Sequence, residues 1–296
     1  EIKKMVLNIK EMYDKCGQEL MFGMTGGEPF LRSDFIEIIY FFKKYNIQYD
    51  IVTNFSVPTE EIIKKMAKSP PDRINVSLDG IGKIHNLVRG VNIFDKIINN
   101  LALLKKYAPD VPIKINSTIN KRNLEHLEEM FYFAKKNNFD LNFQHLNFVN
   151  KDILKKQEQF ELEYFNLAFP HEPTFYTLTA DEVKVLKNKV AFIKQLIFKE
   201  NFHATFLPEI QKNIEKWYLK PDLVITKNKC DINKLRIKAN GDLTHCERFC
   251  YGNLLNYKFE TILNSDFANQ FRGAISKKVM PFCNRCCFRL KSFVEK

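Results

Sequence analysis

Short apolar runs alternate with helical patterns through the first half of the chain, and this alternation restricts the fold more than any other feature. Each run has the length of a buried strand, and a segment with helical spacing of its apolar residues follows. The predicted strands are Leu20–Thr25, Gln48–Thr53, Arg73–Leu78, Ile113–Ile119 and Leu141–Leu146. Strands that alternate with helices predict parallel pairing through right-handed crossovers, and therefore an α/β fold.

Two of these strands alternate apolar and polar residues, whereas strands buried on both faces are usually apolar throughout. Ile74, Val76 and Leu78 oppose Asn75 and Ser77, and the fourth strand repeats the pattern. The apolar set is expected beneath helices, which leaves the polar set facing a barrel lumen. An ordinary closed barrel fills its lumen with Val, Ile and Leu. We therefore expect an open barrel that holds a polar ligand, with a hydrated or side-chain-paired interior as the alternative.

The balance of charge and the cysteine count narrow the class of protein. The net charge is +11, but the lysines occur as scattered pairs near predicted helix ends, where they complement helix dipoles. No nucleic-acid-binding motif accompanies them, and no apolar run is long enough to predict a membrane span. Six of the seven cysteines fall between residues 230 and 287, which favours metal binding over disulfides. We expect a cytoplasmic protein with a metal-binding tail and no nucleic-acid or membrane partner.

A glycine turn follows the first predicted strand, at the edge where barrel enzymes place their sites. Gly26 and Gly27 let the backbone approach a ligand closely, Glu28 offers a carboxylate, and Pro29 stiffens the turn. Backbone carbonyls and a carboxylate are suitable acceptors for an ammonium group. A tight structural turn is the alternative.

The segment from Met24 to Arg32 resembles the motif of radical S-adenosylmethionine (radical SAM) enzymes that binds the methionine amino group of the cofactor. Ser77-Leu78-Asp79-Gly80, followed by His85 and Arg89-Gly90, is similar to the family's fourth strand and the loop after it. The resemblance implies that Gly26, Gly27, Glu28 and Pro29 bind S-adenosylmethionine. It also implies that Ser77 and Arg89 bind the cofactor's carboxylate and that Asn54 lies near the cofactor.

One element of the family pattern does not occur in this sequence. Radical SAM enzymes hold a [4Fe-4S] cluster with a Cys-x3-Cys-x2-Cys motif after the first strand, and Cys16 is the only cysteine before Cys230. Cys16 is predicted to be a buried core thiol on the apolar face of the opening helix. Because the first strand and its cysteines belong to one stretch of the family fold, we expect an N-terminal truncation. The chain as printed is then expected not to cleave S-adenosylmethionine.

The cysteine tail contains four well-spaced candidate metal ligands. Gly241-Asp242 predicts a hairpin turn that brings Cys230 and Cys246 together, and Cys283-x2-Cys286 can bind one metal centre. Spacing alone does not distinguish tetrahedral zinc from an iron–sulfur cluster. The order of cysteines and turns resembles the SPASM or twitch auxiliary domain of radical SAM enzymes, which implies an auxiliary [4Fe-4S] cluster. Two thiols, Cys250 and Cys287, lie outside this ligand set.

The predicted architecture is a partial (β/α)6 TIM-like barrel lacking its first strand, followed by a small cysteine-rich α+β domain. The predicted segments are a barrel over 1–205, a linker helix over 206–229 and an auxiliary cluster domain over 230–296. The resemblance implies a radical SAM oxidoreductase or maturase that forms a 5′-deoxyadenosyl radical and abstracts hydrogen from a peptide or small-molecule substrate. It also implies an electron donor such as flavodoxin or ferredoxin.

Two other functions stay open at this point. One is a non-catalytic binding protein, a degenerate barrel with a structural zinc tail. The other is a barrel lyase or aldolase, for which Lys114 is the candidate lumen lysine. The residues Gln144, His145 and Asp79 are candidates for proton transfer or substrate binding that the sequence does not rank.

Overall fold

The computed structural model describes residues 1–167, 177–221, 234–246 and 248–286. The helices are α1 (Ile2–Lys15), α2 (Phe35–Lys44), α3 (Glu60–Met66), α4 (Lys83–Arg89), α5 (Phe94–Tyr107), α6 (Leu127–Lys136), α7 (Lys151–Phe165), α8 (Ala180–Lys199), α9 (Ile214–Leu219), α10 (Phe259–Leu263) and α11 (Asp266–Lys277). The strands are β1 (Met21–Met24), β2 (Gln48–Thr53), β3 (Arg73–Ser77), β4 (Ile113–Thr118), β5 (Asp140–Gln144), β6 (Ala204–Leu207), β7 (Arg236–Ile237), β8 (Asp242–His245) and β9 (Phe249–Asn253). The chain divides into two compact units.

The first unit, Leu20–Leu146 with Leu178–Leu207, contains a six-stranded parallel sheet. Its strands follow chain order from β1 to β6, and every neighbouring pair is parallel. The predicted α/β class and partial TIM-like barrel are confirmed. The prediction that the fifth strand ends the series is wrong, because β6 adds a sixth. Its four residues, Ala-Thr-Phe-Leu, are too few to show an alternation in the sequence.

The apolar face of this sheet carries the core of the first unit. Val76, Ile115 and Leu141 are register partners across β3, β4 and β5, and all three are fully buried. Burying one such side chain contributes about 1.5–3 kcal/mol. The opposite face is polar, and most of its side chains are only half-buried. These polar side chains are Asp50, Asn75, Ser77, Lys114, Asn116, Thr118, Asp140, Asn142, Gln144 and Thr205. The alternation predicted from the sequence is therefore present in the sheet.

The second unit, Glu1–Glu19, Asn147–Thr177 and Pro208–Lys296, contains an antiparallel sheet with helices around it. Its strand order is β7-β8-β9, and the predicted hairpin at Gly241, whose φ is 88°, joins β7 to β8. An aromatic cluster of Phe165, Phe249 and Phe271 forms part of its core, with ring centroids 4.6–5.9 Å apart. A small C-terminal domain of mixed helix and strand is thus confirmed.

The opening helix α1 belongs to this second unit. Asn8 of α1 donates a hydrogen bond to the Tyr257 carbonyl (2.9 Å) and accepts one from the Phe259 N–H (2.9 Å). The division therefore cuts across the segments predicted from the sequence, and β6 spans the predicted boundary between residues 205 and 206. No helix in the described ranges is long and apolar enough to cross a membrane.

Candidate functional site

The glycine turn lies at the carboxyl edge of the six-stranded sheet, between β1 and a short 3₁₀ helix (Pro29–Leu31). Gly26 has a φ of 142°, in the region that favours glycine. A Cβ atom built on Gly26 or Gly27 would meet no atom within 4 Å. The turn therefore leaves open volume against its backbone, which is the shape that a bound ligand requires.

The Glu28 carboxylate connects this turn to the end of β2. Its Oε1 accepts hydrogen bonds from the Thr53 hydroxyl (2.6 Å) and the Phe30 N–H (3.3 Å), and its Oε2 accepts one from the Asn54 N–H (2.9 Å). The sequence led us to expect a carboxylate directed at a ligand ammonium group. The structure shows that three internal donors hold this carboxylate, which fixes the turn relative to β2.

Asn54 follows β2 and lies next to Glu28. Its Oδ1 accepts hydrogen bonds from the N–H (2.8 Å) and the hydroxyl (2.7 Å) of Ser56. Its Nδ2 has no protein partner among the residues that the structure describes. The side chain is half-buried, so this amide can donate to a ligand at the carboxyl edge.

Ser77 and Arg89, the residues expected to bind a carboxylate, occupy β3 and the end of α4. Ser77 is half-buried and pairs in register with Asn116 of β4. The Nε of Arg89 contacts Oδ2 of Asp79 at 2.8 Å, and the other Asp79 oxygen accepts from the Thr118 N–H at 2.7 Å. Arg89 is therefore half of an ion pair with a buried partner, which fixes the direction of its guanidinium.

Burial raises the pKa of the Asp79 carboxyl, while Arg89 and the Thr118 N–H oppose that rise. His85 lies in the same loop and is fully buried. Its Nδ1 accepts a hydrogen bond from the Asp79 N–H (3.1 Å), so the neutral ring carries its proton on Nε2. Burial, helped by the positive charge of Arg89, lowers the pKa of His85 to about 4. The ring is therefore neutral at physiological pH.

A row of uncharged side chains crosses the polar face at the level of Ser77. The Thr205 hydroxyl donates to Oδ1 of Asn142 (3.0 Å), and the Asn142 amide donates to Oδ1 of Asn116 (3.1 Å). The polar side chains on this face are thus partly hydrogen-bonded to one another. A side-chain-paired interior was the alternative that the sequence left open. Both of these donors point in the same direction along the sheet, from β6 towards β4.

The remaining candidates lie at two different edges of this sheet. Gln144 is half-buried at the carboxyl end of β5, and His145 is fully buried against the Phe206 ring. Lys114 lies near the amino end of β4, the edge opposite the glycine turn. Burial, followed by the charge of Arg73, lowers the pKa of Lys114. A lysine at that edge does not serve a site built at the carboxyl ends of the strands.

The structure places three of the four predicted metal ligands in the second unit. Cys246 is exposed at the tip of the β8–β9 hairpin with a φ of 55°. Cys283 is buried in a 3₁₀ turn (Pro281–Arg285), and Cys286 follows it, half-buried. Cys230 lies outside the described residues. Within the described ranges, no three His, Cys, Asp or Glu side chains are grouped closely enough to hold a metal ion.

The other cysteines have separate environments. Cys250 is exposed on β9, and Cys287 lies outside the described residues. The prediction of a buried core thiol at Cys16 is wrong, because α1 ends at Lys15 and Cys16 is exposed beyond it.

Sequence reasoning missed the side chains that hold the Cys283–Cys286 turn. Gln157 of α7 accepts a hydrogen bond from the Phe282 N–H (3.1 Å) and donates one to the buried Glu161 carboxylate (2.8 Å). The guanidinium of Arg285 donates to the carbonyls of Phe148 (3.1 Å) and Trp217 (2.9 Å). It also lies over both rings, 4.1 and 3.6 Å from their centroids. In the sequence, only the position of Arg285 between two cysteines could have drawn attention to them.

Comparison with known proteins decides the family. The model of the radical SAM superfamily matches residues 1–134, and the model of the SPASM iron-sulfur cluster-binding domain matches residues 230–287. The chain belongs to the radical SAM superfamily. These two domains imply S-adenosylmethionine and [4Fe-4S] clusters as cofactors. The open volume at Gly26 and Gly27 fits the first, whereas the sequence lacks the Cys-x3-Cys-x2-Cys ligands of a radical SAM cluster. For the auxiliary cluster, the described cysteines do not by themselves form a metal site.

Curated relatives of this radical SAM chain carry different names. It is 33% identical over 114 residues to an AdoMet-dependent heme synthase of Methanosarcina barkeri, covering 38% of this chain and 32% of that protein. It is 34% identical over 230 residues to a probable GTP 3′,8-cyclase of Saccharolobus islandicus, covering 75% of this chain and 66% of that protein. The match thus spans about a third of the first relative's length and about two thirds of the second's.

Solved structures share the fold at low sequence identity. The chain is similar to anSMEcpe with bound AdoMet and a peptide, with a TM-score of 0.59, 18% identity, and coverage of 93% of this chain and 78% of that one. It is also similar to SuiB of Streptococcus suis bound to the precursor peptide SuiA, with a TM-score of 0.60, 15% identity, and coverage of 95% and 63%. At these identities the likeness shows the fold.

Proposed function

We propose that the protein containing this chain is a radical SAM oxidoreductase or maturase that abstracts hydrogen from a peptide or protein substrate. S-adenosylmethionine, when bound and reduced by one electron, supplies the 5′-deoxyadenosyl radical for this abstraction. The observation that carries the proposal is the open glycine turn fixed by Glu28 beside Asn54 at the carboxyl edge of the sheet.

Different residues of the chain bind different parts of the cofactor. Gly26 and Gly27 leave room for the methionine end, and Pro29 starts the 3₁₀ helix that closes the turn. Arg89, fixed by Asp79, offers its remaining guanidinium N–H groups to the cofactor carboxylate, together with the Ser77 hydroxyl. Glu28 acts as the support that holds the turn and Asn54 in one geometry.

A peptide substrate is favoured by two fold neighbours whose structures contain peptides, anSMEcpe and SuiB. The uncharged row of Asn116, Asn142 and Thr205 also suits backbone amides, which need neutral donors and acceptors. A second candidate substrate is a nucleoside triphosphate, because several relatives are named probable GTP 3′,8-cyclases. A binding protein with a zinc tail remains the non-catalytic alternative.

The proposed enzyme also has an auxiliary cluster and an electron-donor partner. We assign Cys230, Cys246, Cys283 and Cys286 as ligands of one auxiliary [4Fe-4S] cluster, with Cys250 and Cys287 outside it. The reducing electron comes from a donor such as flavodoxin or ferredoxin, in the cytoplasm, with neither nucleic acid nor a membrane as a partner.

The test uses the full-length gene product, purified anaerobically. With dithionite and S-adenosylmethionine, we expect 5′-deoxyadenosine to form, and candidate precursor peptides to accelerate it. Acceleration by GTP instead would favour the nucleotide substrate. A full-length protein that contains stoichiometric zinc and forms no 5′-deoxyadenosine would establish the binding-protein alternative.

A further inference from the structure

Phe55, the residue after Asn54, has a backbone conformation that phenylalanine rarely adopts. Its φ is 56° and its side chain is fully buried. Among the residues that the structure describes, the other non-glycine residues with positive φ are Asn46, Asn138, Asn166, Asn201 and Cys246. Asparagine tolerates this region because its side chain bonds locally, whereas a bulky aromatic residue there is strained. Strain of this kind persists only where surrounding groups enforce it, and it is concentrated at functional sites.

Two hydrogen bonds and one ring contact hold Phe55 in this conformation. The Phe55 N–H donates to the Thr53 hydroxyl oxygen (2.8 Å), and the Phe55 carbonyl accepts from Nδ2 of Asn100 (2.9 Å). The same Asn100 amide donates to the Pro58 carbonyl (3.0 Å). The Phe55 ring meets the Phe30 ring edge-on at 5.7 Å. Asn100 is a buried residue of α5, and its side chain binds both ends of the loop that follows β2.

The backbone conformation of Phe55 determines which hydrogen-bonding groups of Asn54 and Thr53 are available. Because the Thr53 oxygen accepts from the Phe55 N–H, its single proton is free for Glu28, to which it donates at 2.6 Å. Glu28 holds the Asn54 N–H, and Ser56 holds the Asn54 Oδ1. The carboxamide of Asn54 is then left with its Nδ2 hydrogens alone, so the side chain is a donor.

We propose that Asn100 is a positioning residue for the cofactor site. It holds Phe55 in the left-handed conformation, and thereby makes Asn54 a hydrogen-bond donor to an oxygen acceptor of S-adenosylmethionine. The inference rests on the proposed function, because that function supplies the ligand. Asn100 itself does not touch the ligand.

The principal variant is Asn100→Leu, which keeps the branched shape and the number of side-chain heavy atoms and removes both donors. The matched control is Ser69→Ala, which removes a buried hydrogen bond to the Ile39 carbonyl (3.0 Å) elsewhere in the same unit. Asn100→Ala replaces the leucine variant if the latter does not fold. All variants are studied in the whole chain by thermal melting, by hydrogen–deuterium exchange and by NMR titration with S-adenosylmethionine.

The exchange experiment tests the positioning without any ligand. In Asn100→Leu, amide exchange over residues 53–58 and over residues 27–32 is expected to rise about tenfold or more, because local opening becomes easier. Ser69→Ala is expected to leave both segments unchanged. Unchanged exchange over residues 53–58 in Asn100→Leu, or an equal rise in both variants, would overturn the proposal.

The binding experiment tests the donor at Asn54. Asn54→Asp keeps the oxygen that accepts from Ser56 and removes the N–H donors, so the dissociation constant for S-adenosylmethionine should rise about tenfold, as it should in Asn100→Leu. If the parent binds and both variants bind equally well, the positioning inference is refuted and the proposed function stands. If the parent itself does not bind, the cofactor site of the proposed function is refuted, and with it the role of Asn54 and Asn100 towards the ligand.

Discussion

Replacing Arg89 with methionine tests the ion pair that orients the proposed carboxylate-binding guanidinium. The Asp79 side chain is 4% exposed and that of Arg89 is 35% exposed. Removing one partner of a fully buried pair costs about 3–5 kcal/mol because it leaves an uncompensated charge. Since water reaches Arg89, we discount this to about 2–3 kcal/mol for Arg89→Met. At about 2–4 °C per kcal/mol, the melting temperature of the sheet unit should fall by about 4–12 °C at neutral pH.

The dependence of this loss on pH follows from the directions of the two pKa shifts. Burial raises the pKa of Asp79, and loss of Arg89 raises it further, so the native variant takes up a proton before the unfolded chain does. A carboxyl with a raised native pKa gains stability as the pH falls through that pKa. Loss of Arg89 also raises the pKa of His85, which reduces the acid-induced loss that a buried neutral histidine causes. The difference in melting temperature between parent and variant should therefore shrink on acidification.

Scanning fluorimetry over a pH series measures this difference. The double variant Asp79→Asn with Arg89→Met should regain most of the lost stability at neutral pH, because the amide oxygen still accepts from the Thr118 N–H. A variant Arg89→Met that melts within about 1 °C of the parent at neutral pH would refute the reasoning, as would a double variant no more stable than the single one.

Three further predictions concern glycines and the cysteine tail. Gly27→Ala should leave the melting temperature unchanged, because its Cβ meets no atom, yet weaken S-adenosylmethionine binding about tenfold in an NMR titration; unaltered binding would argue against a ligand there. Gly80→Ala should cost about 1–3 kcal/mol in urea unfolding, because its Cβ lies 2.6 Å from Cγ2 of Ile84, and a neutral result would contradict the close packing. Cys283→Ser should lower the iron content after anaerobic reconstitution whereas Cys250→Ser should not, and equal iron in the two variants would contradict the ligand assignment.

The sequence predicted five strands and the glycine turn because those signals are local. Apolar runs between polar helices mark β1 to β5, and Gly26-Gly27 needs no distant partner to be recognised as a close-approach turn. The strand β6 was not predicted because its four residues, just before Pro208, are too few to show a periodic pattern of apolar residues. Cys16 was misplaced for a related reason, since the apolar stripe of α1 does not reveal that the helix ends one residue earlier.

The sequence predicted which residues form the candidate site, but it did not predict the hydrogen bonds that connect them. Gly26-Gly27-Glu28-Pro29, Ser77 and Arg89 stand in an order that resembles the family, but their internal partners come from tertiary contacts. Glu28 meets the Asn54 N–H across 26 positions, and Asn100 meets the Phe55 carbonyl across 45. Side-chain bonds to a distant backbone leave no periodic trace, because the backbone partner can be of any residue type. The same holds for Gln157, whose partner is a peptide N–H 125 positions away.

The place of α1 in the second unit has a consequence for how the chain folds as it is synthesised. Asn8 finds its carbonyl and N–H partners at Tyr257 and Phe259, 249 and 251 positions later in the chain. The helix α1, with its apolar residues Met5, Val6 and Ile9, therefore lacks these partners until the start of α10 has been synthesised. Closing so long a loop is slow relative to local folding, whereas the parallel sheet is complete at β6. An isolated C-terminal fragment would lack this helix, and the aggregation-prone interval during synthesis is expected to belong to the cysteine-bearing unit.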